Sequence, residues 1–171
     1  MGLQAKGRHF LKRKEAEALR SRLSELLGPL PLEEPLEQVS LEGKGGKALE
    51  VVLVKGEPLL WNPGEGWFLT VKGALKLLPP PSPGNPGRRV AVVDRGAVPH
   101  LCNGANVMAP GISAADTALR PGDLLVVREE THGKPLAVGR ALVEGSAMVR
   151  GKGKAVENLH YVGDELWKFE P

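Results

Sequence analysis

The chain has 171 residues, 42% of them hydrophobic and 25% charged, a balance that excludes wholesale disorder and suits one large domain or two small ones. Its net charge is +3 and its sequence pI about 9.1, which permits a nucleic-acid partner but is far from a histone-like tail. Cys102 is the only cysteine, so no internal disulfide and no cysteine cluster for zinc can form, as suits a reducing cytosol. The N-terminus lacks the apolar core of a signal peptide, and no apolar run approaches the ~20 residues of a spanning helix. A cytoplasmic protein with no membrane partner is the expectation.

In the first half, Leu11, Ala18, Leu19, Leu23, Leu26 and Leu27 recur at helical spacing and predict a helix over residues 10–27. Gly28-Pro29 stops it. Its polar side carries Arg8, Lys12, Arg13, Lys14, Arg20 and Arg22 among Glu15, Glu17 and Glu25. Strands are predicted over residues 36–41, 49–54, 58–61 and 67–70, separated by turns rich in Gly, Pro and Asn. A second helix is predicted over residues 71–78, ending before prolines. One antiparallel meander with helices against it makes a small α+β domain over residues 1–80. The stretch PPPSPGNPG, residues 79–87, is the clearest boundary in the chain. Prolines are stiff and cannot join a sheet interior, so residues 81–88 are expected to be a linker.

The second domain is expected over residues 89–171. Val90 to Val93 is an apolar strand, and Asp94-Arg95-Gly96 turns into a short helix over residues 97–102. Asn103-Gly104 ends that helix, with Gly at a position that often needs positive φ. A strand over residues 105–109 stops at Pro110-Gly111. Strands over residues 124–128 and 136–143, joined around Gly133, read as a hairpin. A last strand is predicted over residues 155–162. Short strands with glycine turns suggest a small barrel.

The order of signals in this half, Gly96-Ala97, Gly104-Ala105, Pro110-Gly111-Ile112, Gly122-Asp123, Ala137-Val138-Gly139 and Gly151 to Lys154, resembles the PUA domain, the RNA-binding module of pseudouridine synthases and archaeosine transglycosylases. The preceding Trp67-Phe68-Leu69-Thr70, the apolar helix and Leu78-Pro79-Pro80 narrow the likeness. Together with residues 104–112 they resemble the archaeal family related to the malignant T-cell amplified sequence protein and the ligatin-type translation initiation factor. The fold class implied is α+β: a small N-terminal helix-plus-antiparallel-sheet domain followed by a C-terminal PUA-like β pseudo-barrel. The resemblance implies non-catalytic binding of structured RNA, rRNA or tRNA, on the small ribosomal subunit, in initiation, reinitiation or recycling, with a translation-factor protein as a further partner.

The groove so implied lies between the helix over residues 96–102 and the strand over residues 105–112. Arg95, Gly96, Ala97, Gly104 and Ala105 would shape it for backbone approach, with His100 and Asn106 beside them. The basic segment of Arg150, Lys152 and Lys154, expected to be a flexible loop, would contact phosphates. Other chemistry finds little footing. His9, His100, His132 and His160 show no metal-ligand spacing, so neither metal nor cofactor is expected. His100 and Cys102 stand two apart on a helix and do not face each other. His160, on an apolar strand, reads as a structural histidine. Asp94, Asp123 and Asp164 read as turn caps. The GKGK segment lacks the P-loop pattern. Two other readings stay open: a ribosome-assembly adaptor working through a Trp61/Trp67 surface, and an accessory subunit of an RNA-modifying enzyme.

Overall fold

Apolar runs at Val51 to Val54 and Pro58 to Trp61 build the centre of the first sheet of the computed structural model, which describes residues 2–171. The chain divides into two units, Met1–Leu78 with Glu165–Pro171, and Pro79–Asp164. In the first, β1 (Gln4–Phe10), β2 (Leu36–Glu42), β3 (Ala48–Val54), β4 (Glu57–Asn62) and β5 (Phe68–Leu69) form an antiparallel meander in that order. Helix α1 (Arg13–Leu27) buries Ala16, Leu19, Leu23 and Leu27, the stripe that 3.6-residue periodicity requires. Helix α2 (Val71–Leu77) starts at Thr70, whose Oγ1 accepts from Gly73 N at 2.9 Å and donates to Pro58 O at 2.8 Å. A Cβ on Gly73 would stand 1.9 Å from Leu59 O, so only glycine lets α2 lie this close to β4. Trp61 is 5% exposed and donates from Nε1 to Leu69 O at 2.9 Å, which makes it core and removes it from any partner surface.

The second unit contains β6 (Val90–Val93), α3 (Val98–Leu101), β7 (Val107–Met108), β8 (Ile112–Ala115), β9 (Leu124–Glu129), β10 (Pro135–Ala141) and β11 (Lys154–Tyr161). They form one sheet in the order β7-β11-β10-β9-β6-β8, antiparallel except for β6 with β9. Its two edge strands are consecutive in the chain, joined through a 3₁₀ turn at Ala109–Gly111. The sheet therefore curls nearly closed, around Val93, Leu101, Val107, Ile112, Leu125, Met148 and Val156. Curling in this way hides most of the unpaired edge groups that an open sheet would present. The architecture is the α+β arrangement expected.

The differences from the sequence reading have physical causes. Strand β1 is not foreseen because every residue in it is exposed, so it carries no alternation. The first helix begins at Arg13, after that strand. The strand expected over residues 105–109 shrinks to Val107–Met108, and Pro110-Gly111, read as a stop, is a turn after which β8 resumes beside β6. The proline stretch is fastened to the second unit. Arg128, 5% exposed, donates to Pro79 O and Gly133 O, both at 3.0 Å. A Cβ on Gly133 would meet Pro81 Cγ at 2.4 Å. The last helix, α4 (Glu165–Lys168), groups with the first unit, although its sequence position attaches it to the second half. Leu166 and Phe169 are buried there, and Lys72 Nζ stands 5.3 Å from the centroid of the Trp167 ring.

Candidate nucleic-acid interface

A groove of about 710 Å³ opens on the second unit. One side is Asp94, Gly96, Ala97, His100 and Leu101; the other is Ala105 to Met108, with Pro110, Gly111 and Lys154 completing it. Local chemistry sets both sides. Asp94 caps the turn into α3, its Oδ1 accepting from Ala97 N at 3.3 Å. Pro99 sits in the first turn of α3, where the missing N–H costs nothing. Asn158 on β11 ties the walls together. Its Nδ2 donates to Leu101 O at 3.2 Å and Ala105 O at 3.0 Å, and its backbone N donates to Asn106 Oδ1 at 3.0 Å.

The two glycines that flank this helix have different reasons to be glycine. Gly104 has φ +86, and a Cβ on it would meet Tyr161 Oη at 3.0 Å and two ring carbons at 3.1 Å. It does not line the groove; it is architectural. Gly96 is exposed and lines the groove, and its nearest neighbour to an added Cβ is Asp94 Oδ1 at 3.4 Å. The fold does not demand glycine at this position. What the missing side chain leaves open is the groove.

Of the expected site residues, Gly96, Ala97, His100, Ala105, Asn106 and Lys154 line the groove together. Arg95, Gly104, Arg150 and Lys152 do not. Arg150 is engaged within the protein. Its Nη1 donates to Asp94 Oδ2 at 2.8 Å and Pro110 O at 2.7 Å, its backbone N donates to Ile112 O at 3.1 Å, and it holds φ at 50. An arginine in left-handed backbone geometry is held there by those bonds. The Arg150 guanidinium, with N–H groups of Ala97 and Gly96, keeps the Asp94 carboxyl below the ordinary carboxylate range against the opposing effect of desolvation.

The GKGK segment is a shaped return instead of a flexible loop. Gly151 has Ala147 O 2.3 Å from where a Cβ would be, Gly153 has φ +71, and Gly153 O accepts from Ala109 N at 2.8 Å. Lys152 projects from it exposed, and Lys154 opens β11 opposite Met108. Met108 itself, 48% exposed on the groove, escaped the sequence reading. The alternation of buried Val107 with exposed Met108 is the signal that marks it.

His160, Asp164 and Asp123 have structural roles. His160 is 1% exposed with Nδ1 2.8 Å from Asp164 Oδ2, and that carboxylate also accepts from Tyr161 N at 2.9 Å. Asp123 Oδ2 accepts from Arg120 N at 3.0 Å, a turn cap as expected. Among the described residues no three His, Cys, Asp or Glu side chains are grouped to hold a metal. No helix is long and apolar enough to cross a membrane, again among the described residues.

The nearly closed sheet with a groove beside its short helix defines a PUA domain, and the PUA family model matches residues 89–162. An uncharacterized protein of Methanocaldococcus jannaschii is 36% identical over 173 residues, 98% of this chain and 99% of that one. Translation machinery-associated protein 20 of Saccharomyces cerevisiae is 36% identical over 85 residues, 45% of this chain and 46% of its own length. The malignant T-cell-amplified sequence 1 homolog of Drosophila melanogaster is 34% identical over 83 residues, 46% of each. These two alignments span less than half of either protein. A solved PUA-domain structure from Aeropyrum pernix K1, a tartrate complex, superposes with a TM-score of 0.76 at 26% identity, covering 97% of this chain and 91% of that one. The chain belongs to the family of archaeal PUA-domain proteins homologous to translation machinery-associated protein 20 and malignant T-cell-amplified sequence 1.

Proposed function

We propose that this protein is a non-catalytic, cytoplasmic RNA-binding protein of translation, which takes structured rRNA or tRNA in the groove of its PUA domain on the small ribosomal subunit. The observation that carries the reading is Gly96. It lacks a side chain where the fold does not require the lack, and it faces an open groove with Lys154 on its border. Bare backbone at Gly96 and small side chains at Ala97 and Ala105 admit a sugar-phosphate chain closely, and Lys154 supplies a phosphate contact. Lys152 extends that contact from the neighbouring turn. In this reading Arg150 braces the groove and Gly104 sets its turn. The names of the translation-associated relatives support the setting.

The test is salt-dependent co-sedimentation of the whole protein with small and large ribosomal subunits, alongside binding to free tRNA. Saturable binding to the small subunit is expected. Binding to the large subunit alone would overturn the assignment to the small subunit, and binding to no RNA would overturn the reading altogether.

A further inference from the structure

The charge of this protein is not spread over it. Five of its 23 Lys and Arg residues lie in residues 1–14, which hold none of its 20 carboxylates, so residues 15–171 carry 18 cations against 20 acids. The entire positive excess belongs to β1 and the start of α1, on the first unit. Every residue of β1 is exposed, as are Lys12, Arg13 and Lys14. Arg8 is taken up by Glu37, at 2.9 and 3.0 Å, and Arg13 by Glu17 at 3.2 Å. Lys6, Lys12 and Lys14 have no ion-pair partner among the described residues. Between them stands Phe10, 63% exposed, the most exposed of the large hydrophobic side chains described. Lys6 and Phe10 are four residues apart on a strand, roughly 13 Å.

We propose that this corner is a second nucleic-acid contact, which takes a single-stranded RNA segment with its phosphates on Lys6, Lys12 and Lys14 and one unstacked base on the Phe10 ring. The proposal rests on the RNA-binding reading above and adds a site to it on the other unit. An exposed aromatic among unpaired cations is the arrangement that binds single strands without reading sequence, since every base has a face to stack. The fold also argues against the other occupant an edge strand invites, an added peptide strand. The register of β1 on β2 shifts between Ala5 and Gly7, so Lys6 has no cross-strand partner. A bulge and a lysine on an edge are the features that block strand addition.

The test uses the full chain and a uridine dodecamer, which has no structure of its own, titrated over a range of salt. The variants are Lys6→Ala/Lys12→Ala/Lys14→Ala, Phe10→Ala and Phe10→Tyr. All four positions are exposed, so the fold is expected to hold. Three lost phosphate contacts should reduce the magnitude of the slope of log K against log salt by about 2. Phe10→Ala should weaken binding about tenfold with the slope unchanged, while Phe10→Tyr keeps it. A groove-blocked variant, Ala105→Trp, should still bind the dodecamer. If the triple variant and Phe10→Ala both bind as the wild type does, while Ala105→Trp abolishes binding, the corner is refuted and the groove stands. If the wild type binds neither the dodecamer nor structured RNA, both readings fall. If the corner variants lose binding to polyglutamate but not to RNA, its partner is an acidic protein and the proposal is overturned.

Discussion

The PUA groove and the basic corner represent opposite ways for a surface to suit RNA. The groove is concave, lined largely by small and apolar residues, with Lys154 the only lysine or arginine in its lining among the described residues. The corner projects, is exposed throughout, and offers three unpaired cations beside one aromatic ring. In the groove, selectivity comes from shape, and affinity should depend weakly on salt. At the corner, affinity comes from charge and should depend on it steeply. A modest net charge of +3 therefore says little about either, because it averages an acidic body with a cationic end.

The sharpest way to break the comparison is to fill the groove. Ala105 is exposed and lines it, so Ala105→Trp should leave folding intact and lower affinity for structured RNA at least about tenfold, or ~1.4 kcal/mol. The salt slope should fall by no more than the ~0.9 of the single Lys154 contact. A larger fall would show that the groove works mainly by charge, and the contrast would collapse.

Next in size is a pair of glycine substitutions. Gly104→Ala must hold φ +86 with a methyl against Tyr161, at about 1–2 kcal/mol for the left-handed conformation alone. Thermal unfolding should register that as a Tm lower by several degrees. Gly96→Ala should stay within about 0.5 kcal/mol of wild type yet weaken RNA binding. Equal stability losses at the two positions would remove the argument that Gly96 is kept for a ligand.

Much of this groove is legible in the amino-acid sequence alone. Gly96-Ala97, Gly104-Ala105 and Pro110-Gly111 mark its turns because sharp reversals demand those residue types, and the apolar runs at Val90 to Val93 and Leu124 to Val127 mark the strands behind it. The roles within it were less legible. Whether a glycine spares a ligand or a neighbouring ring depends on Tyr161, 57 positions from Gly104 in the chain. Arg150 reads as a free cation in sequence, because Asp94, its partner, lies 56 residues away. The corner was half legible: its cations are plain in the sequence, but β1 is invisible to periodicity, being solvated on both faces. Helix α4 is a single turn whose attachment to the first unit depends on packing that no local pattern encodes.

Arg150 provides a smaller effect. Its ion pair with Asp94 is largely solvated, with the arginine side chain 54% exposed, so water screens the pair and it adds little to stability by itself. Arg150→Gly relaxes the backbone at φ 50 and should be more stable than Arg150→Ala by about 1 kcal/mol. Both should weaken RNA binding a few-fold by loosening the rim at Asp94 and Pro110. As a brace, Arg150 leaves the salt slope unchanged on removal. A slope reduced by about 0.9 would instead make it a direct phosphate ligand.

The finest distinction is in acid. Arg150 holds the Asp94 carboxyl low on the groove, and Arg8 does the same to Glu37 at the corner, in each case by a direct hydrogen bond. A depressed carboxylate pKa adds stability that is present above the unfolded value and lost as pH falls through the folded one. Both braces therefore hold from neutrality down to the ordinary carboxylate range, about 3.9–4.3, and fail below it. Their failure has opposite consequences for binding. Protonating Asp94 loosens the groove, whereas protonating Glu37 frees Arg8 and adds a fourth cation to the corner. As pH drops below that range, affinity for structured RNA should fall while affinity for the uridine dodecamer, whose bases do not take up protons there, should rise. Asp94→Asn should abolish the first change and Glu37→Gln the second. Two affinities falling together would mean that acid unfolds the protein as a whole before either brace acts alone, and a urea midpoint measured at the same pH would identify that case.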